Sequence, residues 1–159
     1  MHSDYTYVPL YADRLAAILP ADWPGDAADG FDLACLAKET LLVREHSSRT
    51  LAAISRLLAE TDTVPQRTME MHTREMIREA VARKIGISFM FREECPPDPR
   101  LKVIDINSAS KTLGVTGYLA VRTDRRRLPA IKRAVEIARL VSTQVGEPPA
   151  SRNLRQPPR

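Results

Sequence analysis

The stretch Thr73–Glu94, TREMIREAVARKIGISFMFREE, constrains the fold more than any other part of the chain. It reads as a capped helix, a glycine stop and an apolar strand in immediate succession. The Thr73 hydroxyl can accept hydrogen bonds from the free N–H groups of the first turn, and Glu75 places a negative charge at the positive end of the helix dipole. Met76, Ile77, Ala80 and Val81 recur at helical spacing and form one apolar face. Gly86 is expected to end the helix as a left-handed cap. Ile87–Phe91 then reads as a largely buried strand. Such a unit leaves a helix N-terminus and a strand C-terminus, the two places where an α/β protein puts a ligand.

The rest of the chain alternates in the same manner. Tyr5–Tyr11 and Arg14–Leu19 read as two strands, or one bent strand, around Ala12-Asp13. Pro20–Asp32 is loop, and Leu33–Ala37 is a short helical turn. Leu41–Arg44 is a strand, and Arg49–Glu60 is a helix with Leu51, Ile54, Leu57 and Leu58 on one face. Arg67–Met71 is a short strand, and a Pro-rich turn at Cys95–Arg100 leads into a strand at Leu101–Ile106. A polar linker, Asn107–Thr112, precedes a strand at Val115–Arg122 and a helix at Pro129–Val145. Gly146–Arg159 holds four prolines and three arginines with almost no apolar residues, a composition that predicts disorder. Strands alternating with helices predict an α/β fold with a largely parallel sheet and helices on its faces.

Composition excludes several classes of function. The 159 residues suffice for one core or two small lobes, and 43% hydrophobic with 28% charged residues describes a globular chain. No apolar run reaches the roughly 18 residues needed to span a membrane. Met-His-Ser-Asp-Tyr lacks the features of a signal peptide, so a cytoplasmic location is the expectation. Cys35 and Cys95 share no metal-like spacing. The net charge of +4 invites a nucleic-acid reading. However, Arg125-Arg126-Arg127, Lys132, Arg133 and Arg139 are not interleaved with aromatic residues, and they read as a solvated helix face.

Two helix entrances carry groups suited to binding. Ser47-Ser48-Arg49-Thr50 follows a strand and opens a helix, where hydroxyls, free N–H groups and Arg49 suit a carboxylate or phosphate. The plainer reading makes Ser47 or Ser48 an ordinary N-cap. Thr73 and Arg74 repeat the arrangement, with His72 just before them. Phe91 and Arg92 end the following strand, Phe91 reading equally well as core and Arg92 as solvated. Catalysis finds no support. His2, His46 and His72 have no metal spacing, Cys35 sits among apolar neighbours, and adjacent Glu93 and Glu94 would point to opposite faces of a strand. With six glycines, the chain has no phosphate loop. No cofactor is expected.

The same segments resemble the effector-binding domain of LysR-type transcriptional regulators. The resemblance rests on Thr73-Arg74-Glu75, Arg78-Glu79-Ala80-Val81-Ala82, Ile85-Gly86-Ile87 and Pro97-Asp98-Pro99-Arg100-Leu101 with Val103–Ile106. Val8-Pro9-Leu10-Tyr11, Asp13-Arg14-Leu15, Leu41–Glu45 with Ser47–Thr50, Gly117–Val121 and Arg126–Ile131 fit it as well. It covers about Thr6 to Leu140. It implies a two-lobed fold of the periplasmic-binding-protein type 2, crossing between lobes near Tyr11–Arg14 and Ile106–Gly114. Residues 13–106 would be a complete second lobe, and 1–12 with 107–145 parts of a first lobe. Residues 146–159 are the basic tail.

That family implies a small anionic or polar effector, held in a cleft by Ser47, Ser48, Arg49, Thr50, His72, Thr73, Arg74, Phe91 and Arg92. It implies self-association through this domain, and DNA contact only through an N-terminal winged helix-turn-helix that the sequence lacks. No membrane partner is implied. A truncated regulator is therefore the expectation, with a transporter's solute-binding protein of the same fold as the alternative. An incomplete first lobe would leave Val115–Val121 and the face Ile131, Val135, Ile137 and Ala138 without partners, which favours self-association.

Overall fold

The computed structural model describes residues 4–25, 27–108, 110 and 113–144. Strand β1 is continuous from Tyr5–Pro20, joining the two segments expected around Ala12-Asp13. β2 is Thr40–Val43, β3 Arg67–Glu70, β4 Ile87–Phe91, β5 Leu101–Asp105 and β6 Gly114–Arg122. The helices are α1 (Arg49–Glu60), α2 (Arg74–Ala82) and α3 (Pro129–Gln144). Val145 and the tail expected to be disordered lie outside the described residues. The chain divides into two units: Arg14–Gly114, and one formed from the segments on either side of it.

In the unit Arg14–Gly114 the strand order is β3-β2-β4-β1-β5. β2 is parallel to β3 and β4, whereas β1 is antiparallel to both β4 and β5. The sheet is thus mixed, not largely parallel. Hydrophobic periodicity fixes which face of a strand is buried, but it carries no information on strand direction. The alternation along each strand sorts side chains to two faces. Leu15, Ala17, Leu19, Leu41, Val43, Ile87, Phe89 and Phe91 meet Ile54 and Leu57 of α1. Ile18, Leu42 and Met90 face the opposite way, onto Ile77, Ala80 and Val81 of α2. Burying a side chain of this size stabilises by about 2–3 kcal/mol, so the two layers hold the helices on opposite faces. The one hydroxyl on the α2 face of β4, Ser88, is buried and donates to the Leu42 carbonyl at 2.7 Å.

The exit from α2 differs from expectation. Lys84, with φ of 60°, is the left-handed residue. Its N–H donates to the Val81 carbonyl at 2.8 Å and that of Ile85 to Ala80 at 3.0 Å, which closes the helix in a Schellman motif. Gly86 is required for a separate reason: a Cβ there would lie 2.3 Å from the Thr40 carbonyl oxygen of β2. Beyond β4, the segment Arg92–Arg100 returns along the α2 side. Arg78 pins it by donating to the Pro96 carbonyl at 3.2 Å and to Asp98 at 3.4 Å.

The second unit contains the first half of β1, β6 and α3. β6 pairs with β1, and the Thr123 N–H donates to the Asp4 carbonyl at 2.7 Å. Val8 and Val121 are buried there. Tyr5, Tyr7 and Tyr118 form an exposed ring cluster, with Tyr7 and Tyr118 edge-on at 6.4 Å. On α3, Ile131, Val135 and Ala138 are half-buried, whereas Ile137, Leu140 and Val141 are exposed.

Candidate functional site

β2 feeds α1, which carries the chain to β3 on one side. β3 feeds α2, which carries it to β4 on the other side of β2. The winding reverses there, and the crevice outside the carboxyl ends of β2 and β4 is where an open α/β sheet admits a ligand. The loops Arg44–Ser48, Met71–Thr73 and Arg92–Cys95 all leave from this edge of the sheet. Asp105 reaches it as well, because β5 runs parallel to β4 with β1 between them.

The α1 entrance is open. Ser48 is the N-cap, accepting from the Leu51 N–H at 3.5 Å, and its carbonyl accepts from Ala52 at 3.1 Å. No acidic residue occupies the first turn of α1. Among the described residues the N–H groups of Arg49 and Thr50 have no acceptor, as expected for the first positions of a helix. Ser47 and Arg49 are exposed, and the Arg49 guanidinium has no carboxylate partner among the described residues. Thr50 is buried, 6% exposed, so its side chain faces the protein.

The α2 entrance is filled from within. Thr73 caps the helix, accepting from the Met76 N–H at 3.1 Å. The Glu75 carboxylate accepts from its own backbone N–H and from the Thr73 hydroxyl, and both hold its pKa below the usual range. Arg74 is engaged by Glu94 at 2.6 Å, and Arg92 by Asp105 at 2.6 Å. Arg44 grips its neighbour Glu45 with two hydrogen bonds of 2.6 and 2.7 Å. That grip is the main cause lowering the Glu45 carboxyl, with exposed His72 adding a smaller contribution.

Of the nine residues expected at the site, the structure therefore brings Ser47, Ser48, Arg49 and Thr50 to one entrance and His72, Thr73 and Arg74 to the other. Arg92 is committed to an ion pair. Phe91 is not on a rim: it is 7% exposed, in the core beneath α1. The carboxylates Glu45 and Glu94, absent from the sequence expectation, determine which arginines are already matched. Glu45 was visible as the neighbour of Arg44; Glu94 lies 20 residues from Arg74 and left no local signal. Among the described residues, no group of three or more His, Cys, Asp or Glu side chains could hold a metal. Nor is any described helix long and apolar enough to cross a membrane.

Residues 1–141 match the family model of the LysR substrate binding domain. The chain is 29% identical over 126 residues to the RuBisCO operon transcriptional regulator of Allochromatium vinosum, covering 73% of this chain but 39% of that regulator. It thus spans about two fifths of the curated relative it matches. Among solved structures it is similar to the CcmR regulatory domain of Synechocystis PCC6803 in complex with 2-PG. That match has a TM-score of 0.72 and 21% identity, over 87% of this chain and 67% of that one. The BenM effector binding domain with its effector benzoate superposes with a TM-score of 0.72 at 18% identity, over 94% of this chain and 69% of that one. These likenesses give the fold, that of the periplasmic-binding-protein type 2 lobes. With the family model matched over most of its length, the chain belongs to the LysR substrate-binding domain family, the effector-sensing part of LysR-type transcriptional regulators.

Proposed function

We propose that the α1 entrance is the effector site and that it takes the carboxylate or phosphate of a small anion. The observation that carries this reading is the open state of α1. Two backbone N–H groups, the helix dipole and an exposed Arg49 with no carboxylate partner among the described residues sit at the start of α1, beyond the carboxyl end of β2. An anion there gains charge-assisted hydrogen bonds without displacing an internal partner. Ser47 adds a hydroxyl for orientation. Benzoate, which the BenM domain binds, carries a carboxylate of the required kind.

The unit Arg14–Gly114 serves as the second lobe, and the remaining segments belong to the first. The chain acts as a sensor and not as a catalyst, in the cytoplasm. DNA reading falls to another part of the longer regulators. Coupling between the two requires the effector to prefer one arrangement of the regulator over another.

A thermal-shift panel of small carboxylates and phosphates, benzoate and inorganic phosphate included, tests the site. At least one anion raises the melting temperature, Arg49→Ala removes most of the shift, and Arg74→Ala keeps it. Stabilisation by an anion that survives Arg49→Ala would show that the site is elsewhere.

A further inference from the structure

The basic run read from sequence as a solvated helix face has a definite arrangement in the unit containing β6. Between β1, β6 and α3 lies a cavity of about 480 Å³. That volume falls within the range of small-ligand pockets. Its floor is apolar, made by Val8 and Val121, each 6% exposed, and by half-buried Val135. Its rim is basic, made by Arg126, Arg127, Lys132 and Arg139.

Neighbouring arginines are matched: Arg122 to Asp124 at 3.0 Å and Arg133 to Glu136 at 3.2 Å. The four rim cations have no carboxylate partner among the described residues. Glu136, the single acid lining the cavity, is already taken by Arg133. A concave surface lined by one sign of charge over low-dielectric walls focuses its field and concentrates ions of the opposite sign. The valine floor adds a demand that a simple ion cannot meet, since only an apolar body gains by covering it.

We infer that this cavity binds an amphiphilic anion, its carboxylate, sulfate or phosphate head on the basic rim and its hydrocarbon body on the valine floor. The site is distinct from the α1 entrance and does not depend on that assignment.

Methyl NMR spectra of the full chain, titrated separately with octyl phosphate, inorganic phosphate and octyl glucoside, test it. Octyl phosphate shifts the Val8, Val121 and Val135 methyl signals saturably. Inorganic phosphate and octyl glucoside, each lacking one of the two features, bind at least about tenfold more weakly. The paired reversal Arg126→Glu with Lys132→Glu weakens octyl phosphate by about tenfold or more, whereas the control reversal Arg56→Glu on α1 leaves it unchanged. Equal binding of octyl glucoside would reduce the cavity to a greasy surface, and equal binding of phosphate to a diffuse charge. Either result overturns the inference, as do shifts confined to other methyl groups. Should the paired variant lose its native spectrum, the comparison of three ligands on the unaltered chain decides alone.

Discussion

The two helix entrances of the unit Arg14–Gly114 are built from nearly the same residues and reach opposite states. Both have a hydroxyl N-cap followed by an arginine, Ser48-Arg49 and Thr73-Arg74. At α2 the second helical position is Glu75, which folds back onto the entrance, and Arg74 is drawn away by Glu94. At α1 the second position is Thr50, turned inward, and Arg49 is left exposed. Two acidic side chains, Glu75 and Glu94, separate a helix start that is satisfied from within from one that is left open. The helix exits, in contrast, are alike. Asp62 and Lys84 both adopt positive φ, and Thr63 donates to Leu58 at 2.9 Å much as Ile85 donates to Ala80.

The contrast can be broken at several strengths. Arg49→Glu supplies α1 with the internal carboxylate it lacks. Titration with whichever of benzoate or inorganic phosphate binds should then show affinity lower by about a hundredfold, from the lost cation and the added repulsion together. If the loss is no greater than for Arg74→Ala, the two entrances are equivalent and the distinction fails. Next in size are the caps. Thr73→Ala should cost about 1 kcal/mol or slightly more in urea unfolding, because both the Met76 N–H and the Glu75 carboxylate lose a partner. Ser48→Ala should cost about half that, since its bond to Leu51 is long at 3.5 Å. Reversed magnitudes would mean that Ser48 is the better-made cap.

The smallest effect is in pH. The Glu75 carboxyl is lowered from its ordinary value of 4.5 in the folded chain. Its contribution to stability is therefore complete above that value and is lost as the pH falls through the lower, folded one. Glu75→Gln should flatten this part of the acid stability curve. An NMR titration should find no matching carboxylate at α1, whose first turn holds no acid.

Much of the unit was legible in the sequence because its signals are local. Arg49–Glu60 and Ile87–Phe91 have the expected bounds, one fixed by helical spacing and a cap, the other by an apolar run between a helix stop and charged residues. Phe91, open from sequence between rim and core, is decided by parity. It shares its parity with Ile87 and Phe89, and alternation alone sends all three to the α1 face. Other features had no local trace. The antiparallel placement of β1 between β4 and β5 joins residues some 70 to 90 positions apart, and hydrophobicity does not encode direction. Gly86 is expected from sequence as the left-handed cap, a place that Lys84 takes, and the need for glycine there comes from the approach of Thr40 across the sheet. The pairings of Arg74 with Glu94 and of Arg92 with Asp105 decide which cations at this edge remain unpaired, and both depend on tertiary placement.

Lys84 sets two demands against each other. Its backbone sits where a side chain costs about 1–2 kcal/mol and glycine nearly nothing. Its ammonium makes a 2.5 Å ion pair with Asp22, with both side chains more than 60% exposed, so water screens most of what the pair returns. Exchange for glycine would relieve the strain but give up the ion pair and loosen the unfolded chain, with little net change. On stability alone position 84 accepts lysine or glycine, while Gly86 two residues on has no such latitude, because any side chain there meets the Thr40 carbonyl.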